Sequence, residues 1–195
     1  MLTSGPFTVR LFGLLATAVV VTSANRVPAA APASPAAPRA NEYAVKAALI
    51  YNIAKFVTWP QVLLPAPGEP LAVCVLVTDP FGSALDDTLN GRQVGGHPLA
   101  VRRVAEPEPA CHVLFVSSSE HKRLDVILEK VQKAGVLTVG DMEGFNRAGG
   151  VIELVTEADA VHFHLNAPAA EQGRLQISAR LRALEPRAHS HGATP

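Results

Sequence analysis

With 195 residues, 48% of them hydrophobic and 17% charged, the chain has enough apolar material for one domain with a core of its own. Lysine plus arginine and aspartate plus glutamate balance at 17 each and no basic run occurs, which excludes an electrostatic footprint for nucleic acid or anionic lipid. Aromatic residues, 5% of the chain, are too sparse for a sugar-stacking or single-strand-binding surface.

Arg10 precedes an apolar run, Leu11 to Val21, that is short for a bilayer span. The small residues Thr22-Ser23-Ala24 follow, as a signal peptidase requires, so residues 1–24 are expected to be a signal peptide and the chain periplasmic. An uncleaved N-terminal anchor is the competing reading. Ala and Pro dominate residues 25–40, where Pro28, Pro32, Pro35 and Pro38 predict an extended tether outside the fold. The folded domain is expected over residues 41–184, and residues 185–195 as a disordered tail.

Ala44 to Pro60 reads as a helix of about four turns stopped by Pro60. Val45, Ala48, Leu49, Asn52, Phe56 and Trp59 share its main face, with Ile53 beside them. Ala47, Ile50, Tyr51, Ala54 and Val57 form a second apolar face, and only Lys46 and Lys55 bring charge. A helix apolar nearly all round needs cover on more than one side. Ile50, Tyr51, Ala54 and Lys55 are therefore the expected partner or dimer surface. The competing account makes Asn52 a buried polar group bonded to nearby backbone.

Leu71 to Val77 predicts a strand covered on both faces. Asp79-Pro80 suits a helix start, with Phe81, Leu85 and Leu89 carrying the helix to Asn90-Gly91. Pro98 to Val104 and Cys111 to Ser117 are the next strands, with a Pro-containing turn between them. Ser117 and Glu120 have capping-box spacing before a helix whose inward stripe is Leu124, Ile127, Leu128 and Val131, and Gly135 ends it. Val136 to Val139 is a fourth strand. This alternation predicts a single α/β domain, a largely parallel sheet with helices on both faces. A C-terminal β-hairpin follows the Gly149-Gly150 turn, with Val161, Phe163 and Leu165 inward and His162 and His164 outward. Asn166 and Ser178 are the expected starts of two last helices.

Candidate chemistry is thin. Ser117 to Ser119 read as a helix cap, and no G-x-S-x-G occurs. Gly95-Gly96 and Gly149-Gly150 precede strands and read as turns, not phosphate loops. Asp79, after the first sheet strand, resembles a phospho-acceptor position but suits a cap better. His162-x-His164 puts two imidazoles on one side of a strand, and no further ligand is visible by spacing. No catalytic, cofactor or metal site is expected, and the chain is not expected to be an enzyme. An enzyme reading would need His112, Asp79 and Ser117 to meet. The even cysteine count of an exported chain favours a bridge between Cys74 and Cys111, with two buried free thiols as the alternative.

The blocks EYAVKAALIYNIAKFVTWP, LAVCVLVTDPFG, NGRQVGGHPLAVRR, CHVLFVSSSE, VLTVGD, FNRAGGVIELV and VHFHLN, in this order, resemble the YfiR family of periplasmic regulators over about Asn41 to Leu184. The resemblance implies a periplasmic, usually dimeric α/β protein. It further implies repression of a membrane-bound diguanylate cyclase, relieved when an outer-membrane lipoprotein sequesters the repressor. Cys74 and Cys111 match the family's disulfide between strands. A second bridge of some members would fall near Gly149-Gly150, where this chain has no cysteine.

The leading expectation is thus a periplasmic regulator that binds and represses a membrane-bound diguanylate cyclase, or, equally, a sensor kinase. The alternative is a small-ligand-binding sensor module acting on a kinase or transporter, with its crevice near Thr78, Asp79, Ser117 and Ser118.

Overall fold

The computed structural model describes residues 36–158 and 160–185. The expected signal peptide, residues 25–35 of the tether and residues 186–195 of the tail lie outside the described residues. Helix α1 (Ala36–Ala54) begins inside the stretch expected as tether. Pro38 falls in its first turn, where a missing N–H costs no helical bond. The helix stops before Pro60 because Phe56 N–H turns back to Ile53 O at 2.9 Å and the chain enters a short strand, β1 (Val57–Thr58).

All six residues of β2 (Leu71–Leu76) are buried. Asp79 does not cap a helix: its Oδ1 accepts from Phe81 N–H at 2.8 Å, closing a local turn, and α2 (Ala84–Leu89) starts later. Strands β3 (Gln93–Val94) and β4 (His97–Val104) form a hairpin turned by Gly95 and Gly96 at φ +59° and +86°. After β5 (Val113–Val116), Ser118–Arg123 coil as 3-10 turns into α3 (Leu124–Val131). The expected capping box does not form, since Ser117 Oγ bonds Ser119 Oγ at 2.7 Å rather than a backbone amide.

Next come β6 (Leu137–Gly140), β7 (Ile152–Glu157) and β8 (Ala160–Leu165). Helix α4 (Ala167–Gln172) is capped by Asn166, whose side chain accepts from Ala169 N–H at 3.1 Å. Strand β9 (Gln176–Ile177) pairs antiparallel with β1, and α5 (Ala179–Leu184) is capped by Ser178 Oγ.

The main sheet has seven strands in the order β3-β4-β2-β5-β6-β7-β8. Its five central strands are parallel, and β3 and β8 are antiparallel edges. The mixed α/β architecture, the parallel centre and the hairpin thus stand as expected. Alternation along the strands sends Val73, Val75, Val113, Phe115, Leu137 and Val139 to the side covered by α1, α2 and α4. Cys74, Leu76, Leu114 and Val116 face α3, whose Leu124, Ile127, Leu128 and Val131 are all buried. Helices therefore cover both faces. Cys74 and Cys111 form the disulfide, with Cα atoms 5.8 Å apart, buried on the α3 side. Gly140 and Gly150 enclose the fully buried Phe145 ring so closely that a Cβ at either would collide with it.

Candidate functional site

The two faces of α1 are used the other way round from the sequence expectation. Ile50 and Ala54, expected on a partner surface, are 1% and 2% exposed and lie in the chain's own core with Ala47 and Ile53. That is a correction: the side with Ala47, Ile50, Ile53, Ala54 and Val57 is buried, and the side with Asn52 and Lys55 is left outside. Counted along the helix, Lys46 lies on the inward arc, where a lysine argues against burial unless its charge is met. Here it is met. Lys46 Nζ lies 3.1 Å from Asp141 Oδ2 and 2.6 Å from Glu42 Oε1, with the Lys46 side chain 5% exposed and that of Asp141 2%.

Asp141 follows β6 at the carboxyl end of the parallel sheet. It also accepts from Tyr43 O–H at 2.7 Å and, through Oδ1, from Ser118 N–H at 3.1 Å. Glu42 is held further by Thr156 Oγ1 of β7 at 2.8 Å. The Lys46 ammonium beside Glu42 holds that carboxyl below its usual range. Burial, then the bond to Asp141, pushes the Tyr43 phenol well above its usual value. The cluster pins the first turns of α1 to the sheet, and nothing in the spacing of Tyr43, Lys46 and Asp141 announced it. The one local signal was Glu42 and Lys46 at i, i+4.

An open depression of about 600 Å³ adjoins this anchor, lined by Glu42, Lys46, Asp141, Glu153 and Thr156 among others. Its buried Glu153 is already spent, accepting from Gly144 N–H at 3.1 Å and Asn146 N–H at 3.0 Å. Asp141 is likewise fully engaged.

What α1 leaves outside is an arc of Ala44, Val45, Ala48, Asn52 and Lys55, all exposed, with Lys55 its only charge. Asn52 is therefore a surface residue and not the buried polar group of the competing account. Tyr51 lies half-buried at the margin, packed against the core, with Lys55 Nζ 5.1 Å and Arg92 Cζ 5.2 Å from its ring centroid. Of the four residues expected at a partner surface, Tyr51 and Lys55 remain accessible. Arg92, from the loop before β3, joins them without having been anticipated.

Of the expected crevice residues, Asp79, Ser117 and Ser118 are tied up locally, and Thr78 is exposed. Asp79 Oδ2 accepts from Arg103 Nε at 2.9 Å, and the same guanidinium pairs with Asp86, which lowers the Asp86 carboxyl below its usual range. Val77, at the end of β2, is a β-branched residue at φ +54° and is 50% exposed. His112 sits at the amino end of β5, away from Ser117 and Asp79 at the carboxyl ends, so the three do not meet. Its Nδ1 accepts from Ala72 N–H at 3.0 Å and its Nε2 faces Leu63 O at 3.1 Å, and burial pushes its pKa down. His164 Nδ1 lies 3.9 Å from a Glu185 carboxylate oxygen.

A family profile described as YfiR/HmsC-like matches residues 43–184. No curated protein matches the chain. Among solved structures, a crystal structure of a conserved domain protein from Vibrio cholerae O1 biovar eltor has the same fold at a TM-score of 0.51 and 10% identity, over 73% of this chain. This chain spans 58% of that protein's length. Among the described residues, no helix is long and apolar enough to cross a membrane.

Proposed function

The chain belongs to the YfiR/HmsC-like family, and from that premise we propose that it represses a membrane-bound diguanylate cyclase by direct protein–protein contact in the periplasm. The family is one of periplasmic regulators, not of enzymes. The observation that carries the reading is the family match across nearly the whole described domain. It is supported by the exposed arc of α1, where Ala44, Val45, Ala48 and Asn52 carry no charge, in line with the depletion of charge at interface centres. In this reading an outer-membrane lipoprotein relieves repression by competing for the same regulator, and the regulator acts as a homodimer.

Deleting the gene should raise cellular cyclic di-GMP, and a plasmid copy should restore it. A flat level on deletion would remove the cyclase as target and turn attention to the sensor-kinase variant. The depression beside the Lys46–Asp141 pair keeps a ligand-binding module as the second reading. A thermal-shift screen of small polar metabolites that gave a clear stabilisation would favour it.

A further inference from the structure

We infer that the Tyr51 ring with Lys55 and Arg92 is a docking point for an acidic protein segment. The inference rests on the regulator reading and adds the chemistry of the partner. Two cations lie on one aromatic ring, at 5.1 Å and 5.2 Å from its centroid, so they are no more than about 10 Å from each other. Neither makes an ion pair with any described residue. Lys122, Lys133 and Arg174 are among the other described cations without an ion pair, and what sets Lys55 and Arg92 apart is that they share one aromatic ring. The residues outside the described span hold one acidic residue, Asp159.

The arrangement is built rather than loose. Tyr51 packs against the core, which fixes its ring. Arg92 is held through its backbone, its N–H donating to Leu89 O at 3.0 Å and its carbonyl accepting from Leu99 N–H at 3.0 Å. Ala48 and Asn52 continue the surface along α1 without charge or bulk, leaving a flat approach for a partner. Incoming carboxylates would relieve the repulsion between the two cations and form charge-assisted hydrogen bonds with them. An anionic membrane is the weaker candidate, since membrane-binding clusters gather about four to eight basic residues and this chain offers two on a net charge of zero.

The test uses the full mature protein and a labelled peptide of Glu, Leu and Ser, beside the same peptide with Gln for Glu. Wild type should bind the acidic peptide at least tenfold more tightly than the Gln peptide. The pair Lys55→Glu with Arg92→Glu should remove that preference without changing the melting temperature, because both side chains are exposed. Equal binding of the two peptides, or an unaltered preference in the variant, would overturn the inference. So would wild type binding phosphatidylglycerol vesicles more tightly than the peptide through the same two residues.

In a deletion strain whose cyclic di-GMP has risen, wild type should restore the level and the double variant should not. Restoration by both would discard this docking point while leaving the regulator reading intact. A level that never rises discards the cyclase target, and the peptide comparison then decides the docking point alone.

Discussion

Lys46 of α1 and Asp141 at the end of β6 meet at 3.1 Å with side chains only 5% and 2% exposed, joining the first helix to the carboxyl end of the sheet. Removing one member of such a pair leaves the other charged and buried. Lys46→Met should therefore destabilise the fold by about 3–5 kcal/mol. Asp141→Asn added to Lys46→Met should cost less than the sum of the two single changes. Urea unfolding of the three variants checks this, and simple additivity would mean that the pair is not coupled.

Because Ile50 is in the core and Ala48 is outside, the same charge should have opposite consequences two residues apart. Ile50→Asp buries an unpaired carboxylate and should leave the chain largely unfolded by circular dichroism. Ala48→Asp should change stability by no more than about 0.5 kcal/mol. Two similarly stable proteins would contradict the assigned orientation of α1.

The disulfide between Cys74 and Cys111 closes a loop with a sequence separation of 37. Replacing both cysteines by alanine should lower stability by about 4 kcal/mol in the chain-entropy model. Reduction of the native protein should lower the melting temperature likewise. An unchanged melting temperature under full reduction would show that the packing of β2 against β5 suffices alone.

His112 is held neutral by burial, with its folded pKa below the ordinary 6.5. Its contribution is thus present above pH 6.5 and is lost as pH falls through the folded value. Urea midpoints should begin to drop as pH falls below 6.5, before the carboxylates titrate, and His112→Asn should flatten that part of the curve. Glu42, with its pKa lowered from 4.5, adds a second loss below that pH. At the alkaline end the raised Tyr43 phenol reverses the sign, with stability present below pH 10 and declining above it. Equal acid limbs in wild type and His112→Asn would remove His112 from the account.

Gly150 is the floor beneath Phe145, so Gly150→Ala overpacks a closed site and should cost about 1–3 kcal/mol. Combining it with Phe145→Leu should recover part of that loss, measured by thermal denaturation. A neutral Gly150→Ala would show that the loop over residues 141–150 can shift to admit the methyl.

The elements of this protein were largely written into local pattern. Continuous apolar runs such as Leu71–Leu76 mark strands because a parallel strand is buried on both faces. The stripe Leu124, Ile127, Leu128, Val131 and the caps Asn166 and Ser178 fix helices through contacts a few residues long. The family likeness was legible too, in the order of those blocks. Tertiary structure alone decided which side of α1 is inside. The inward side carries Lys46, a lysine that by composition belongs outside, and its burial depends on Asp141, 95 residues away, arriving to neutralise it. Arg92 reached Tyr51 in the same way, through the packing of α1 against α2 that no local pattern encodes. Local interactions repeat within a turn of chain and can be read along it. Long-range charge pairing depends on where distant segments come to rest, and it is this pairing that sets which residues are left for a partner.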